Sequence, residues 1–195
     1  MRNFNSKMSI EECQRNINKI DLNGEKTIIS DICTDIFAGG DKPKEFSETK
    51  TEKYTIPVYA NGVENEGLVG YTNFYRVNTN AVTISGRGTL GFVCIRTKPF
   101  VPIVRLIVAL PNESLINLKY FKFAVSRLSF PNTGGTIPQL TVPNFKKMQI
   151  NVPSLDDQQR IVSEIETYEQ QIAEAKAVMA GCAERKKQIL DKWLK

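Results

Sequence analysis

The chain contains no histidine. That absence removes Ser-His-Asp and Cys-His nucleophile arrangements, histidine metal ligands and the usual general base near neutral pH, so any catalysis would have to rest on carboxylates. The four cysteines, Cys13, Cys33, Cys94 and Cys182, are widely separated and form no C-x-x-C pair. Reduced, buried thiols are expected, not zinc or redox chemistry. No apolar run approaches the roughly 18 residues that span a bilayer, and Met1 to Lys7 lack the apolar stretch of a signal peptide. A cytoplasmic location is expected, with no cofactor and no metal. Proline is missing from all 42 residues after Pro153, which leaves room for one uninterrupted helix.

Acidic residues are scarce where basic ones are dense. Residues 21 to 67 hold 5 Lys/Arg and 10 Asp/Glu, whereas residues 68 to 153 hold 10 Lys/Arg and the single acid Glu113. The net charge of +5 hides that asymmetry. A face selected only for solubility mixes its signs. Arg76, Arg87, Arg96, Lys98, Arg105, Lys119, Lys122, Arg127, Lys146 and Lys147 set against one carboxylate instead point to a polyanionic partner. Tyr71, Phe74 and Tyr75 interleave with this stretch, although aromatic residues in strands more often fill a core. With 41% apolar and 24% charged residues among 195, the chain has room for one core and an appendage.

The patterns predict an α+β fold, a strongly bent and mostly antiparallel sheet with flanking helices, followed by a long C-terminal coiled-coil helix. Ser9 and Glu12 have capping-box spacing, and Ile10, Cys13, Ile17 and Ile20 form one stripe, so residues 1–20 hold a short amphipathic helix. Residues 21–153 form the strand-rich domain. Within it, Lys26 to Ile36 reads as a strand turning into a brief helix. Tyr54 to Tyr59, Gly67 to Tyr71, Phe74 to Val77, Ala81 to Ile84, Gly91 to Arg96 and Pro102 to Ala109 read as strands. A helix starts near Pro111 to Ser114, and extended pieces follow at Ile137 to Leu140 and Met148 to Val152. Residues 154–195 form the terminal helix, opened by Ser154 with Asp157 three residues on. Its apolar or small residues fall at Ile161, Ile165, Tyr168, Ile172, Ala175, Met179, Cys182, Ile189 and Trp193, with Lys186 breaking the series and Gly181 a second weak point. Steps of 4 and 3 make a heptad seam, and a helix of roughly 60 Å is longer than one small core needs. A one-sided core helix is the plainer alternative.

Two catalytic or cofactor motifs are imitated. Gly86-Arg87-Gly88-Thr89-Leu90-Gly91 matches G-x-G-x-x-G, but Phe92 to Ile95 reads as another strand and no acid follows about 20 residues later. A glycine-rich turn is expected there, able to bring backbone close to phosphate while Arg87 forks onto phosphate or guanine. Glu48-Thr49-Lys50 with Asp31, Asp35 or Asp41 imitates a metal-dependent nuclease, yet Glu48 lies in the polar run Lys44 to Lys53. No Pro-Pro occurs, so the Pro-Pro-aromatic motif of DNA amine methylation is missing too.

The order of the pieces resembles the specificity subunits of Type I restriction-modification systems. The matching stretches are Ile29 to Cys33 leading to Phe37 to Pro43, Ile56 to Tyr59, Val82 to Gly91, Ile137 to Leu140, and Ile150 to Val162. The resemblance covers residues about 25 to 195. It implies a target recognition domain that reads one half of a split double-stranded DNA sequence, and a spacer helix around which methyltransferase subunits dock, with motor-nuclease subunits joining for cleavage. Such a chain catalyses nothing itself. One recognition domain and one long helix make it similar to a half-specificity subunit, or to a fragment of a larger one, that pairs as a homodimer. A recognition domain cut from a fused restriction-methyltransferase, a small carboxylate-dependent nuclease and a coiled-coil assembly adaptor are the competing readings. Arg87, with Ser85 and Thr89, is the first expectation for DNA contact. Lys42, Lys44, Asn61, Arg76, Arg96, Lys98, Arg127, Thr133, Lys146 and Lys147 follow. Ile161, Ile165, Tyr168, Ile172, Met179, Ile189 and Trp193 are expected at the dimerisation and docking seam.

Overall fold

The computed structural model describes residues 8–130 and 139–193. Chain contacts divide it into two compact units, Leu22–Gln158 and the paired segments Met1–Asp21 with Gln159–Lys195.

The larger unit is built on a four-stranded antiparallel sheet. In chain order its strands are β2 (Cys33–Ala38), β5 (Ala81–Ile84), β6 (Val93–Arg96) and β8 (Ile107–Pro111), and in space they run β2-β8-β5-β6. Strand β5 is flanked on both edges and all four of its residues are buried, which suits its unbroken apolar and β-branched sequence. Helix α2 (Leu118–Ser126) packs on β5 and β6 through a face that includes Tyr120, Phe121, Ala124 and Val125. A second sheet, ordered β4-β3-β7, joins β3 (Ile56–Tyr59) antiparallel to β4 (Leu68–Thr72) and parallel to β7 (Val101–Pro102). Its buried Val58, Val101 and Ile103 form a satellite core. A short ribbon pairs β1 (Glu25–Ile28) with β9 (Gln149–Val152), between α3 (Val142–Lys146) and the final helix α4 (Leu155–Trp193).

Several expected elements moved. Lys26 to Ile36 is a strand, one turn of 3₁₀ helix at Ile29–Ile32, and then a new strand. Phe74 to Val77 is not a strand; Val77 alone bridges to Phe100, while Phe74 and Tyr75 are exposed. Pro102 to Ala109 is broken by a turn at Val104 and Arg105. Helix α2 starts later than Ser114, because Asn117 caps it by accepting the N–H groups of Lys119 and Tyr120 at 2.9 and 3.1 Å. The short helix α3 arises between the two expected extended pieces, where no element was predicted, and is capped by Thr141.

In the smaller unit, α1 (Ile10–Lys19) begins at Ser9, whose hydroxyl accepts the Glu12 N–H at 3.1 Å. The Cys13 thiol donates to the Gln171 side chain at 3.5 Å, which sets α1 against the long helix. At the end of the larger unit Ser154 caps α4 in the same manner, accepting the Asp157 N–H at 3.2 Å and donating to its carboxylate at 2.6 Å. Helix α4 runs unbroken through Gly181 and Lys186 for 39 residues.

Candidate nucleic-acid interface

Strand register decides which loops meet. Ala38 at the end of β2 and Ile84 at the end of β5 both pair with Ile107 at the start of β8. The segments after β2, after β5 and before β8 therefore emerge at one end of the main sheet. Together with Gln139 and Leu140 they enclose a cleft of about 330 Å³, whose charged lining is Asp41, Lys42, Arg87 and Arg105. Three of the lining residues are glycines, two of them at close backbone approaches. A Cβ on Gly39 would lie 2.7 Å from the Ile103 nitrogen, and one on Gly86 would lie 2.8 Å from the Leu140 carbonyl. A Cβ on Gly40 would meet a terminal nitrogen of Arg76, so that guanidinium lies against Gly40.

The turn carrying Arg105 is strained. Val104 and Arg105 have φ of 52° and 59°, a region that costs a non-glycine residue about 1–3 kcal/mol and is least suited to β-branched valine. Backbone bonds hold it there. The Val104 N–H donates to Gly40 at 2.8 Å, the Arg105 N–H to Gly39 at 3.1 Å and the Leu106 N–H to Ile103 at 3.1 Å. Asn61 ties this turn to the glycine loop, donating to the Val104 carbonyl at 2.7 Å while its own carbonyl accepts the Gly86 N–H at 3.0 Å.

The expected contact residues separate accordingly. Arg87, Thr89, Lys42, Lys44, Arg76 and Lys98 are exposed in loops of the larger unit; Arg87 and Lys42 line the cleft, while Arg76 lies against Gly40 and is not part of the lining. Lys42 also lies 3.6 Å from the Phe46 ring centre. Arg96 is a correction. It is 5% exposed, stacks 3.6 Å over the Tyr59 ring, and bonds Thr83 and Glu66, so its guanidinium belongs to the core. Ser85 is buried, with its hydroxyl accepting the Gly62 N–H at 3.3 Å, and Asn61 serves the scaffold as described. Arg127 lines a different depression with Lys26 and Gln149, Lys147 a small apolar one with Leu90 and Phe130, and Lys146 is half-buried at the end of α3. Thr133, like Ile137 and Pro138, lies outside the described residues. Arg105 and Asp41 line the cleft but stand outside the expected contact residues. Arg105 sits in sequence that reads as strand, and Asp41 belongs to the nuclease imitation and to the stretch Phe37 to Pro43.

The glycine motif is a hairpin loop between β5 and β6, with Gly88 and Gly91 at φ of 74° and 81° and no helix after it. Among the described residues, no three or more Cys, Asp or Glu side chains gather as a metal site. No described helix is long and apolar enough to cross a membrane.

The seam of α4 changes character along its length. Ile165 is 6% exposed and Ile161, Tyr168 and Ile172 are half-buried, whereas Met179 and Ile189 are 64% and 59% exposed. The inner seam residues are thus partly or wholly covered within the chain, and the outer ones are not. Val178 and Leu190 widen the exposed outer stripe, and the Trp193 side chain lies outside the described residues.

A sequence model for the Type I restriction modification DNA specificity domain matches residues 22–178. A Mycoplasma pneumoniae protein described as a type I specificity subunit is 34% identical over 135 residues, 69% of this chain and 40% of the relative. Another from that organism, with the same description, is 32% identical over 138 residues, 71% of this chain and 38% of the relative. The crystal structure of a Type-I restriction-modification S subunit from M. genitalium has the same fold at TM-score 0.64 and 16% identity, over 86% of this chain and 45% of that one. The HsdS subunit of Thermoanaerobacter tengcongensis gives TM-score 0.64 and 17% identity, over 94% and 51%. The chain spans about 40% of the length of these two curated relatives.

Proposed function

The chain belongs to the Type I restriction modification DNA specificity domain family, and from that premise we propose that it reads one half of a split duplex DNA target and catalyses nothing itself. The observation that carries this reading is the convergence of Lys42, Arg87 and Arg105 on one glycine-walled cleft at the end of the main sheet. Glycines let a phosphodiester backbone approach closely, and the cations neutralise its charge. In this reading residues 21–153 are the target recognition domain, with Lys42, Lys44, Arg76 and Lys98 on phosphates and Arg87 and Thr89 near base edges. Arg127, Lys146 and Lys147 extend the basic surface.

Residues 154–195 act as the spacer. The exposed outer stripe of α4 pairs with the same stripe of a second copy, giving a homodimer that sets the distance between two half-sites. Helix α1 of the N-terminal segment braces the inner part of the helix. Methyltransferase subunits dock around the paired helices, motor-nuclease subunits join for cleavage, and the assembly works on cytoplasmic DNA.

Selection of bound duplexes from a random pool, with the full chain and a methyltransferase subunit, tests the reading. A half-site or split motif is expected, with affinity falling steeply as salt rises. Binding indifferent to sequence and salt would instead favour an assembly adaptor whose basic face is incidental. Mg²⁺-dependent cleavage by the chain alone, abolished by Glu48→Gln, would favour the nuclease.

A further inference from the structure

The cleft carries one charge of the wrong sign for a site that holds only phosphate. Asp41 lines it beside Lys42, Arg87 and Arg105. It is exposed, and no described residue hydrogen-bonds or ion-pairs with its carboxylate. Close to a polyanion, an unpaired carboxylate repels the sugar-phosphate backbone and weakens every contact made to it. A base edge is different. In the major groove cytosine presents its N4 amine, which a carboxylate accepts, and the guanine paired with it presents N7 and O6, onto which a guanidinium forks.

The backbone puts those two side-chain types next to each other. Asp41 directly follows Gly39 and Gly40, and their carbonyls accept the N–H groups of Arg105 and Val104 at 3.1 and 2.8 Å. The Arg105 backbone is held in a left-handed turn by these bonds and by Asn61. Direct readout requires such placement, because a base-reading group must sit within a narrow range of distances and angles. Phosphate contact does not, and the freely exposed Lys44 and Lys98 suffice for it.

Resting on the DNA-reading proposal above, we infer that Asp41 and Arg105 are specificity-determining residues that together read one C·G base pair, Asp41 accepting from cytosine N4 and Arg105 donating to guanine N7 and O6. The test is random-duplex selection followed by binding measurements on the selected duplex and on a mixed-sequence duplex. It uses the full chain as wild type, Asp41→Asn and Arg105→Ala. The wild type is expected to fix a C·G pair within its motif. Each variant should lose preference at that pair by about tenfold to a hundredfold while keeping the other positions. Asp41→Asn should at the same time bind the mixed-sequence duplex at least as tightly as wild type, since a repulsive charge is gone. A purely structural role would weaken both duplexes together. Variants that keep the wild-type preference at every position, or that lose affinity for both duplexes alike with an unchanged motif, would overturn the inference and leave the DNA-reading proposal standing. A wild type that selects no motif would overturn both. Both side chains are exposed, so melting temperatures close to wild type are expected; if one variant folds poorly, the other decides.

Discussion

The side-chain carbonyl of Gln158 accepts the backbone N–H of Asn117 at 2.7 Å. Gln158 is fully buried, and its amide donates to the carbonyls of Pro153 and Leu115 at 2.9 and 3.2 Å. Asn117 in turn caps α2, so one glutamine in the first turn of α4 satisfies the loop that launches the core helix. Gln158→Leu preserves volume but strands one donor and two acceptors away from water. It should cost about 2–4 kcal/mol, lowering the melting temperature by roughly 5–15 °C. A loss below about 1 kcal/mol in denaturant titration would mean that those groups find other partners.

Arg96 is expected to matter for stability and not for DNA. Its guanidinium stacks on Tyr59, donates to Thr83 at 3.2 Å, and reaches the Glu66 carboxylate at 3.0 Å and the Glu66 carbonyl at 2.5 Å. Glu66 and Asn65 have φ of 55° and 46°, so this arginine also holds a left-handed turn. The Glu66 side chain is 66% exposed. Only the arginine end of the ion pair is desolvated, which keeps the expected cost of Arg96→Met at about 2–3 kcal/mol, below that of breaking a fully buried pair. Lysine lacks the fork and should not rescue it. Folded Arg96→Met should select the wild-type motif; full stability with lost binding would return Arg96 to the interface.

Alkaline pH should unfold the larger unit early. Burial pushes the Cys33 thiol from 9.0 to about 12 and the Tyr120 hydroxyl from 10.0 to about 12, and it raises Cys94 as well. Below pH 9 these groups are neutral in folded and unfolded chains alike. Above it the unfolded chain ionises first, so stability is retained below the ordinary values and lost progressively between about pH 9 and 12. Urea midpoints should be level from pH 7 to 9 and then fall, with Cys33→Ala flattening part of the slope. An undiminished slope in that variant would remove Cys33 from the account.

Arg87 and Lys44 should fail in different ways. Arg87 rises from a loop whose backbone approaches the cleft, and Arg87→Ala is expected to relax one motif position by about 1–3 kcal/mol. Lys44 is simply exposed, so Lys44→Ala should weaken all sequences alike and reduce the salt slope by about one. Selection and salt titration of both variants separate the roles, and an Arg87→Ala protein with unchanged affinity and motif would take Arg87 out of the interface.

Features written in local chemistry were legible in the sequence. Ser9 with Glu12 and Ser154 with Asp157 announce helix starts, and Ala81 to Ile84 has the composition of a strand buried on both faces. The turn at Val104 was not, because a β-branched residue inside an apolar run reads as strand. What bends it is the pair of carbonyls at Gly39 and Gly40, more than sixty residues earlier. Arg96 misled for the same reason: its charge looks like surface until Tyr59 and Glu66 are brought beside it. Phe74 and Tyr75 have strand composition but no partner strand. The heptad period of α4 was visible throughout, yet its division into a covered inner part and an exposed outer part depends on packing that periodicity does not encode.

That division makes self-association testable. Val178, Met179, Ile189 and Leu190 expose 66%, 64%, 59% and 47% of their surface, a stripe of apolar side chains that a lone helix leaves in water. At tens of micromolar the chain should sediment as a dimer, and Met179→Lys with Ile189→Lys should weaken pairing by at least about tenfold without loss of helix signal. Ile165→Lys should behave otherwise, since that side chain is 6% exposed and its charge would be buried within the chain, lowering the melting temperature at any concentration. Lys186 interrupts the stripe, and a charged residue at a seam position costs pairing energy while fixing register. Lys186→Leu should therefore tighten the dimer. A strict monomer in all these proteins, alone and with methyltransferase, would rule out pairing through the outer helix.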